Sequence, residues 1–342
     1  MIALHLAYWQ ETIIRLLVGL AALLGLTGTV VYLYLFKFVS FMQSRLGPME
    51  AGPYGSLQLL AEVGKWIQKE DIFTERADRF VFAASPFVVI LSTFMLFVVV
   101  PGGPGDSVAD LPNSLIYALA VSAISVIGIL MAGWASANKY ALLGGLRAAG
   151  QLVAYELPMV LAVVGVVIQA GSLNLQDIVG AQATGSIFGW SGIGNPYILT
   201  QFTGLIIFLI AMQAELTQTP FDMPVAESEL VAGYMVEYTG IRFLVYFIAE
   251  FATAIGFSAI AATLFLGGWG LPTSWGIGRG AMHVIGPIVI ILKTVLLTGV
   301  VFWVRFSFPR FREDQLQRLA WKFLIPLSLA NIVVTAVLKV VF

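Results

Sequence analysis

Apolar residues fall in eight long runs separated by polar connections, and a run of about 20 such residues suffices to cross the hydrocarbon core of a bilayer. The runs predict spans at roughly Ile13–Phe36, Phe80–Val100, Leu115–Trp134, Leu152–Gln169, Ile198–Ala214, Ile241–Leu266, Val284–Val304 and Phe323–Val341. The pattern predicts an all-α integral membrane protein of about eight transmembrane helices. No stretch is left over for a soluble domain, so residues 1–342 read as one membrane domain. The first run lacks a basic leader and a small-residue cleavage site, and reads as a retained span. The first connection is patterned differently. Leu57, Leu60, Ala61, Val63, Gly64 and Ile67 recur at helical spacing, while Glu62, Lys65, Lys69 and Glu70 fill polar positions, which predicts an amphipathic helix at the membrane surface. The preceding RLGPMEAGPYG spaces Gly and Pro so that no helix runs through it.

Composition sharpens the class. The chain is 59% hydrophobic and 11% charged, with mean hydropathy +0.92, whereas an ordinary soluble domain is about 25% charged. A net charge of −1 leaves no basic stripe for nucleic acid. With no Cys, the chain has no thiolate metal site, iron–sulfur ligation or disulfide. His5 and His283 read as isolated, which argues against a His-rich metal or haem site, so no metal or redox cofactor is expected in this chain. If electrons are involved, another subunit carries them. Lys and Arg concentrate on one side, at Lys37, Arg45, Lys65, Lys69, Arg76, Arg79, Lys139, Arg147, Arg242, Arg305, Arg310, Arg312, Arg318 and Lys322; Arg15, Arg279, Lys293 and Lys339 fall elsewhere. The excess of positive charge puts that side in the cytoplasm and both termini outside. The outer connections Pro101–Ser114, Ala170–Tyr197 and Gly267–Met282 read as turns and short loops.

Candidate chemistry lies in the acidic connection from Glu215 to Tyr238, which holds Glu215, Asp222, Glu227, Glu229 and Glu237 between two apolar runs. Glu156, Glu250 and Lys293 add ionisable groups within predicted spans, where such groups need partners, water or a function. Carboxylates placed side by side raise one another's pKa and can exchange protons near neutral pH, so the spacing suits a proton relay. A solvated acidic loop is the plain alternative. No His–Ser or His–carboxylate spacing suggests a triad, and the glycine-rich Leu143–Arg147 and Leu266–Gly270 lack the form of a phosphate loop.

Several motifs occur in one order: QSRLGP (Gln43–Pro48), Gly52–Gly55, Leu57–Gln58, Lys65, Lys69–Glu70 and Asp78–Phe80, then Met131–Glu156. TPFDMPVAESELVAGYMVEY (Thr219–Tyr238), Leu264–Trp269, Phe308–Leu316 and Trp321–Pro326 complete the series. Over nearly its whole length the chain resembles the H-type membrane subunit of respiratory complex I, a proton-pumping NADH:quinone oxidoreductase of the bacterial inner membrane. The resemblance implies a non-redox-active subunit that forms much of a quinone chamber. Quinone is then the substrate. FMN and iron–sulfur clusters reside in partner subunits, and the partners are peripheral-arm subunits, small membrane subunits, antiporter-like subunits and lipid. It implies that Lys37, Arg45, Gly47, Pro48, Glu62, Lys65, Arg147, Gln151, Tyr155 and Asp222 shape or border the chamber. It also implies that Glu156, Glu215, Glu227, Glu229, Glu237 and Glu250 couple quinone reduction to proton translocation.

The chain departs from the family pattern in places. Leu35–Phe36–Lys37 stands where an acid–Arg–Lys/Arg triplet is usual, Gln218 stands for an Arg, Val225 for an acid, and Glu62 for an Asp. The equivalent anchor of a membrane-bound hydrogenase or formate hydrogenlyase, or of a complex fed by another donor, is the nearest alternative. A secondary transporter using Glu250 and Lys293 as an ion site is a third reading, weakened by the lack of an internal repeat.

Overall fold

The computed structural model describes residues 8–185, 194–276 and 278–341; His5 lies outside them. Helix α1 (Tyr8–Val30) runs on through a π-helical stretch, Val31–Phe38, to Met42. It passes the predicted end at Phe36 because Lys37 is no barrier: its ammonium donates to the Pro48 carbonyl at 2.6 Å. The following turn depends on glycine. Gly47 and Gly55 have φ of 68° and 74°, and a Cβ on either would collide with backbone, at Phe36 O and Pro48 O respectively. Helix α2 (Gln58–Gln68) is the expected amphipathic helix, with Trp66 stacked on Phe243 at 4.6 Å.

Helix α3 (Arg79–Val98) starts at Asp78, whose carboxylate accepts from the Phe80 and Val81 amides. It pairs with α4 (Ser114–Ala135), where the Ser85 hydroxyl donates to Gly128 O at 2.6 Å. Helix α5 (Lys139–Ala170) begins well before the predicted Leu152. Asn138 caps it by accepting from the Tyr140 amide at 2.8 Å. Its glycines serve close packing: a Cβ on Gly144 would lie 2.7 Å from the Tyr234 amide, and one on Gly145 would lie 3.4 Å from Gly133 Cα. The residues after Lys139 are thus helix, and Arg147, Gln151, Tyr155 and Glu156 share one rod.

The connection after α5 is not only turn: α6 (Leu175–Thr184) forms there, capped by Asn174 accepting from the Gln176 amide at 2.7 Å. The predicted fifth span is interrupted. One turn, Tyr197–Thr200, is followed by a break at Gln201 and then α7 (Phe202–Glu215). Buried Gln201 donates to Thr335 at 2.7 Å and accepts from Asn331 at 3.0 Å, which fixes the break. The 14 residues of α7 rise only about 21 Å. Helices α8 (Gly240–Phe265), α9 (Arg279–Ser307) and α10 (Glu313–Val341, with a π turn at Ala320–Leu324) complete the fold. Among the described residues, seven helices are long and apolar enough to cross a membrane, with α7 the shorter eighth. The chain is an all-helical, multi-pass membrane protein. Its main core joins α3, α4, α5, α7 and α8 through residues that include Leu96, Leu115, Tyr155, Phe208 and Phe257.

Candidate functional site

The acidic connection folds as a buried junction. It leaves α7 at Glu215, passes Gln218 and the Thr219–Pro220 cis peptide, makes short turns at Glu227–Leu230 and Gly233–Met235, and enters α8. Aromatic packing anchors it. Tyr238 stacks on Phe82 of α3 at 4.0 Å and donates to the Phe82 carbonyl at 3.1 Å, and Tyr234 and Tyr238 meet Tyr246 edge-on. Val225 packs in the same cluster, and Phe36 and Leu35 pack against Phe251 and Phe302. At these three positions the chain makes apolar contacts.

Two pairs of carboxylates occupy the inner part of the junction. Glu215 is 8% exposed and its Oε2 has no hydrogen-bond partner; Glu156 of α5 lies within electrostatic reach. On the α8 side, Glu250 accepts from the Gln218 amide at 2.5 Å and faces Arg305 Nη1 at 3.4 Å. Asp222 stands beside that pair. Burial, then the Glu250 charge, pushes its carboxyl up to about 6, opposed by Arg305, Arg310 and a hydrogen bond from the Ala226 amide. Burial, then Glu250 and Asp222, likewise raises the Tyr234 phenol.

The outer acids stand apart from these. Glu229 bridges Arg147 at 2.5 Å and Arg310 at 2.9 Å at the surface, and those hydrogen bonds and charges hold its carboxyl below the usual range. Arg147 and Glu229 line an open cleft of about 560 Å³ with Arg312, Glu313 and Gln317. Glu237 accepts from Asn138 at 2.6 Å beside a second surface cleft with Arg76 and Lys139. Glu227 is exposed.

The residues expected at the chamber form two groups. Glu62 lines an apolar cavity of about 400 Å³ between α1, α2 and α8, with Leu24, Gly28, Val31, Trp66 and Phe247. Lys65 lies over the Trp66 ring at 5.1 Å, Lys37 ties α1 to Pro48, and Arg45 is exposed and donates to Gln43 at 2.8 Å. Arg147, Gln151, Tyr155 and Asp222 belong to the other group. There the Gln151 amide donates to Ala214 O at 2.6 Å, and the Tyr155 hydroxyl to Leu316 O at 2.9 Å. The cavity and the Arg147 cleft share no lining residue. Helix α8 touches both groups, giving Leu244, Phe247 and Ile248 to the cavity and Glu250 to the acidic cluster.

Three expectations change. His283 is not isolated: its Nδ1 lies 3.0 Å from Asp106 Oδ2, an exposed His–carboxylate pair that 177 residues of separation conceal in the sequence. Lys293 is not an ion-site partner of Glu250. Its ammonium donates to Leu266 O at 2.7 Å and Gly268 O at 2.8 Å, and Arg305, which meets Glu250, lies about 18 Å further along α9. Arg305, Arg310 and Gln218 are central to the site, yet the first two registered in the sequence only as cytoplasmic-side charge. Their position around FPRFREDQL was the available signal. Among the described residues, no group of three or more His, Asp or Glu is placed to hold a metal.

Comparison with known proteins agrees with this architecture. The profile of the family described as NADH dehydrogenase matches residues 14–336. The chain is 43% identical over 331 residues to the H subunit of the NADH-quinone oxidoreductase of Brevibacillus brevis, covering 96% of this chain and 94% of that protein. It is 41% identical over 327 residues to the protein of the same name from Dehalococcoides mccartyi, covering 94% and 86%, and 42% identical over 337 residues to that of Anoxybacillus flavithermus, covering 98% and 96%. Matched along almost its whole length by both the family profile and these relatives, the chain belongs to the NADH dehydrogenase family of membrane subunits represented by the H subunit of NADH-quinone oxidoreductase.

Proposed function

We propose that the chain is the membrane subunit of a proton-pumping NADH:quinone oxidoreductase, where it receives quinone and passes the consequence of quinone reduction to the membrane arm. The carrying observation is α8, one helix that borders the apolar cavity with Leu244, Phe247 and Ile248 and holds Glu250 in the acidic cluster. A cavity of about 400 Å³ is within the range of small-molecule sites, and its apolar lining suits an isoprenoid-bearing quinone. Glu62 and the neighbouring Lys65 supply polar groups at its amphipathic wall.

In this reading the flavin and iron–sulfur clusters sit in peripheral subunits, which dock on the cytoplasmic side over the cleft of Arg147, Glu229, Arg312 and Glu313. Small and antiporter-like membrane subunits receive the signal from the carboxylates. Reduction of quinone in the cavity consumes protons, and α8 carries the consequence from Leu244, Phe247 and Ile248 to Glu250 and its neighbours Asp222, Glu215 and Glu156. Glu227, Glu229 and Glu237 lie at the surface, apart from these inner carboxylates. The charge asymmetry supports placing the Lys- and Arg-rich side in the cytoplasm with both termini outside, and the family supports a bacterial inner membrane as the location. The names of the relatives favour a quinone-linked complex over a hydrogenase-type anchor.

Gly28 tests the cavity. It lines the space, and a Cβ there already comes 3.1 Å from Leu59. Gly28→Leu is expected to raise the quinone KM about tenfold with a smaller change in kcat, the signature of lost binding volume. An unchanged KM in an assembled complex contradicts the assignment of the cavity.

A further inference from the structure

Gln218 is 5% exposed and lies between Arg305 and Glu250 in the junction. Its Nε2 donates to Glu250 Oε1 at 2.5 Å and to Leu216 O at 3.2 Å, and its Oε1 accepts from Arg305 Nη1. A guanidinium only donates and a backbone carbonyl only accepts, so the two neighbours set the amide's orientation. The end of the amide facing Glu250 is therefore a donor. Arg305 also lies 3.4 Å from the same Glu250 Oε1, with its guanidinium near the Phe251 and Phe306 rings at 5.7 and 5.5 Å. Two donors thus converge on one oxygen of Glu250. The other charged or titratable groups acting around Glu250 are Asp222 and Tyr234 of the acidic connection, and Arg310 acts on Asp222.

We propose that Gln218 is a positioning residue: a neutral amide that links Arg305 to Glu250, ties Oε1 of the carboxylate, and leaves Oε2 as the oxygen that exchanges with the Asp222 and Tyr234 side. The inference rests on the relay reading given above. Only a side chain that donates at one point and accepts at another fits between a guanidinium and a carboxylate. Glutamate here sets two carboxylates against each other, and methionine fills the space with neither bond. In each case Glu250 loses its fixed orientation while the helices around it keep their packing.

The test uses the assembled complex in its membrane, with quinone reduction, proton translocation and complex yield measured together. Gln218→Met is expected to lower kcat about tenfold, the effect of losing a hydrogen bond to a charged group, with quinone KM and complex yield within about twofold of wild type. A fall in yield matching the fall in rate, with normal turnover per complex, reduces Gln218 to a structural residue and overturns the proposal. Because Gln218 acts through Glu250, Gln218→Met added to Glu250→Gln is expected to lower the rate no further; multiplication of the two effects overturns it. The exchange Gln218→Glu with Glu250→Gln restores one amide and one carboxylate in reversed places, and is expected to turn over at least about fivefold faster than Gln218→Glu alone. An exchange no faster than the single variant refutes the bridge even if Gln218→Met fails to assemble. Full activity of Glu250→Gln removes the relay reading itself. A defective Glu250→Gln beside a wild-type Gln218→Met removes only the role given to Gln218.

Discussion

Two basic side chains of α9, Lys293 at its middle and Arg305 near its C-terminal end, are held in opposite ways. Lys293 faces the C-terminal end of α8, where its ammonium is taken up by the Leu266, Gly268 and Gly270 carbonyls at 2.7, 2.8 and 3.5 Å. Arg305 faces the acidic junction, where its partners are the Gln218 amide and the Glu250 carboxylate, with Asp222 nearby. Backbone carbonyls cannot change their charge, so the partners of Lys293 are constant. Asp222 beside Arg305 can, so the surroundings of Arg305 change when it gains or loses a proton. A charge near hydrocarbon becomes part of a mechanism when its partner can also change charge, and a structural tie when its partner cannot.

Arg305→Leu is the sharpest way to break the comparison. It leaves Glu250 and Gln218 without their cation, and quinone reduction coupled to proton translocation is expected to fall about a hundredfold per complex. Lys293→Met is expected to do the reverse. Freed carbonyls at the end of α8 lower the melting temperature of the complex by several degrees, while turnover per assembled complex stays within about twofold of wild type. Equal catalytic loss in both variants erases the distinction.

A smaller effect comes from Asp222. Burial and Glu250 raise its carboxyl from the ordinary 3.8 to about 6 in the folded protein. A raised carboxyl favours the folded state most below the unfolded pKa, and that contribution is lost as pH rises through the folded one. Asp222→Asn, which cannot ionise, is therefore expected to be more thermostable than wild type at pH 8, with the advantage shrinking below about pH 6 and gone near pH 4. Thermal melts of both proteins across that range check the sign.

The spans were legible because length and apolarity alone decide them. The amphipathic α2 was legible from its spacing. The N-terminal extension of α5 was hidden because KYALLGGLRAAG carries glycines that disfavour an isolated helix; contacts at Tyr234 and Gly133 override that preference. The break at Gln201 and the short α6 depend on partners far along the chain, at Thr335 for the first and at Gly103, bonded by Gln176, for the second. The site divides in the same way. Glu215, Asp222 and Glu250 are conspicuous as acids near apolar runs, and all three belong to the inner part of the junction. Glu229 and Glu237 were read into the same series, but each faces its own surface cleft. Arg305 and Gln218 could not be paired from sequence, since 87 residues separate them and only the packing of α9 against α8 brings them together.

Glu215→Gln in the assembled complex tests the central claim most directly. The residue is buried, one of its oxygens lacks a partner, and Glu156 is its charged neighbour, so an isosteric amide removes the proton site with little change in packing. Proton translocation and quinone reduction measured on the same membranes are expected to fall at least about tenfold at normal complex yield. Wild-type translocation at normal yield contradicts the assignment of these carboxylates as the coupling element.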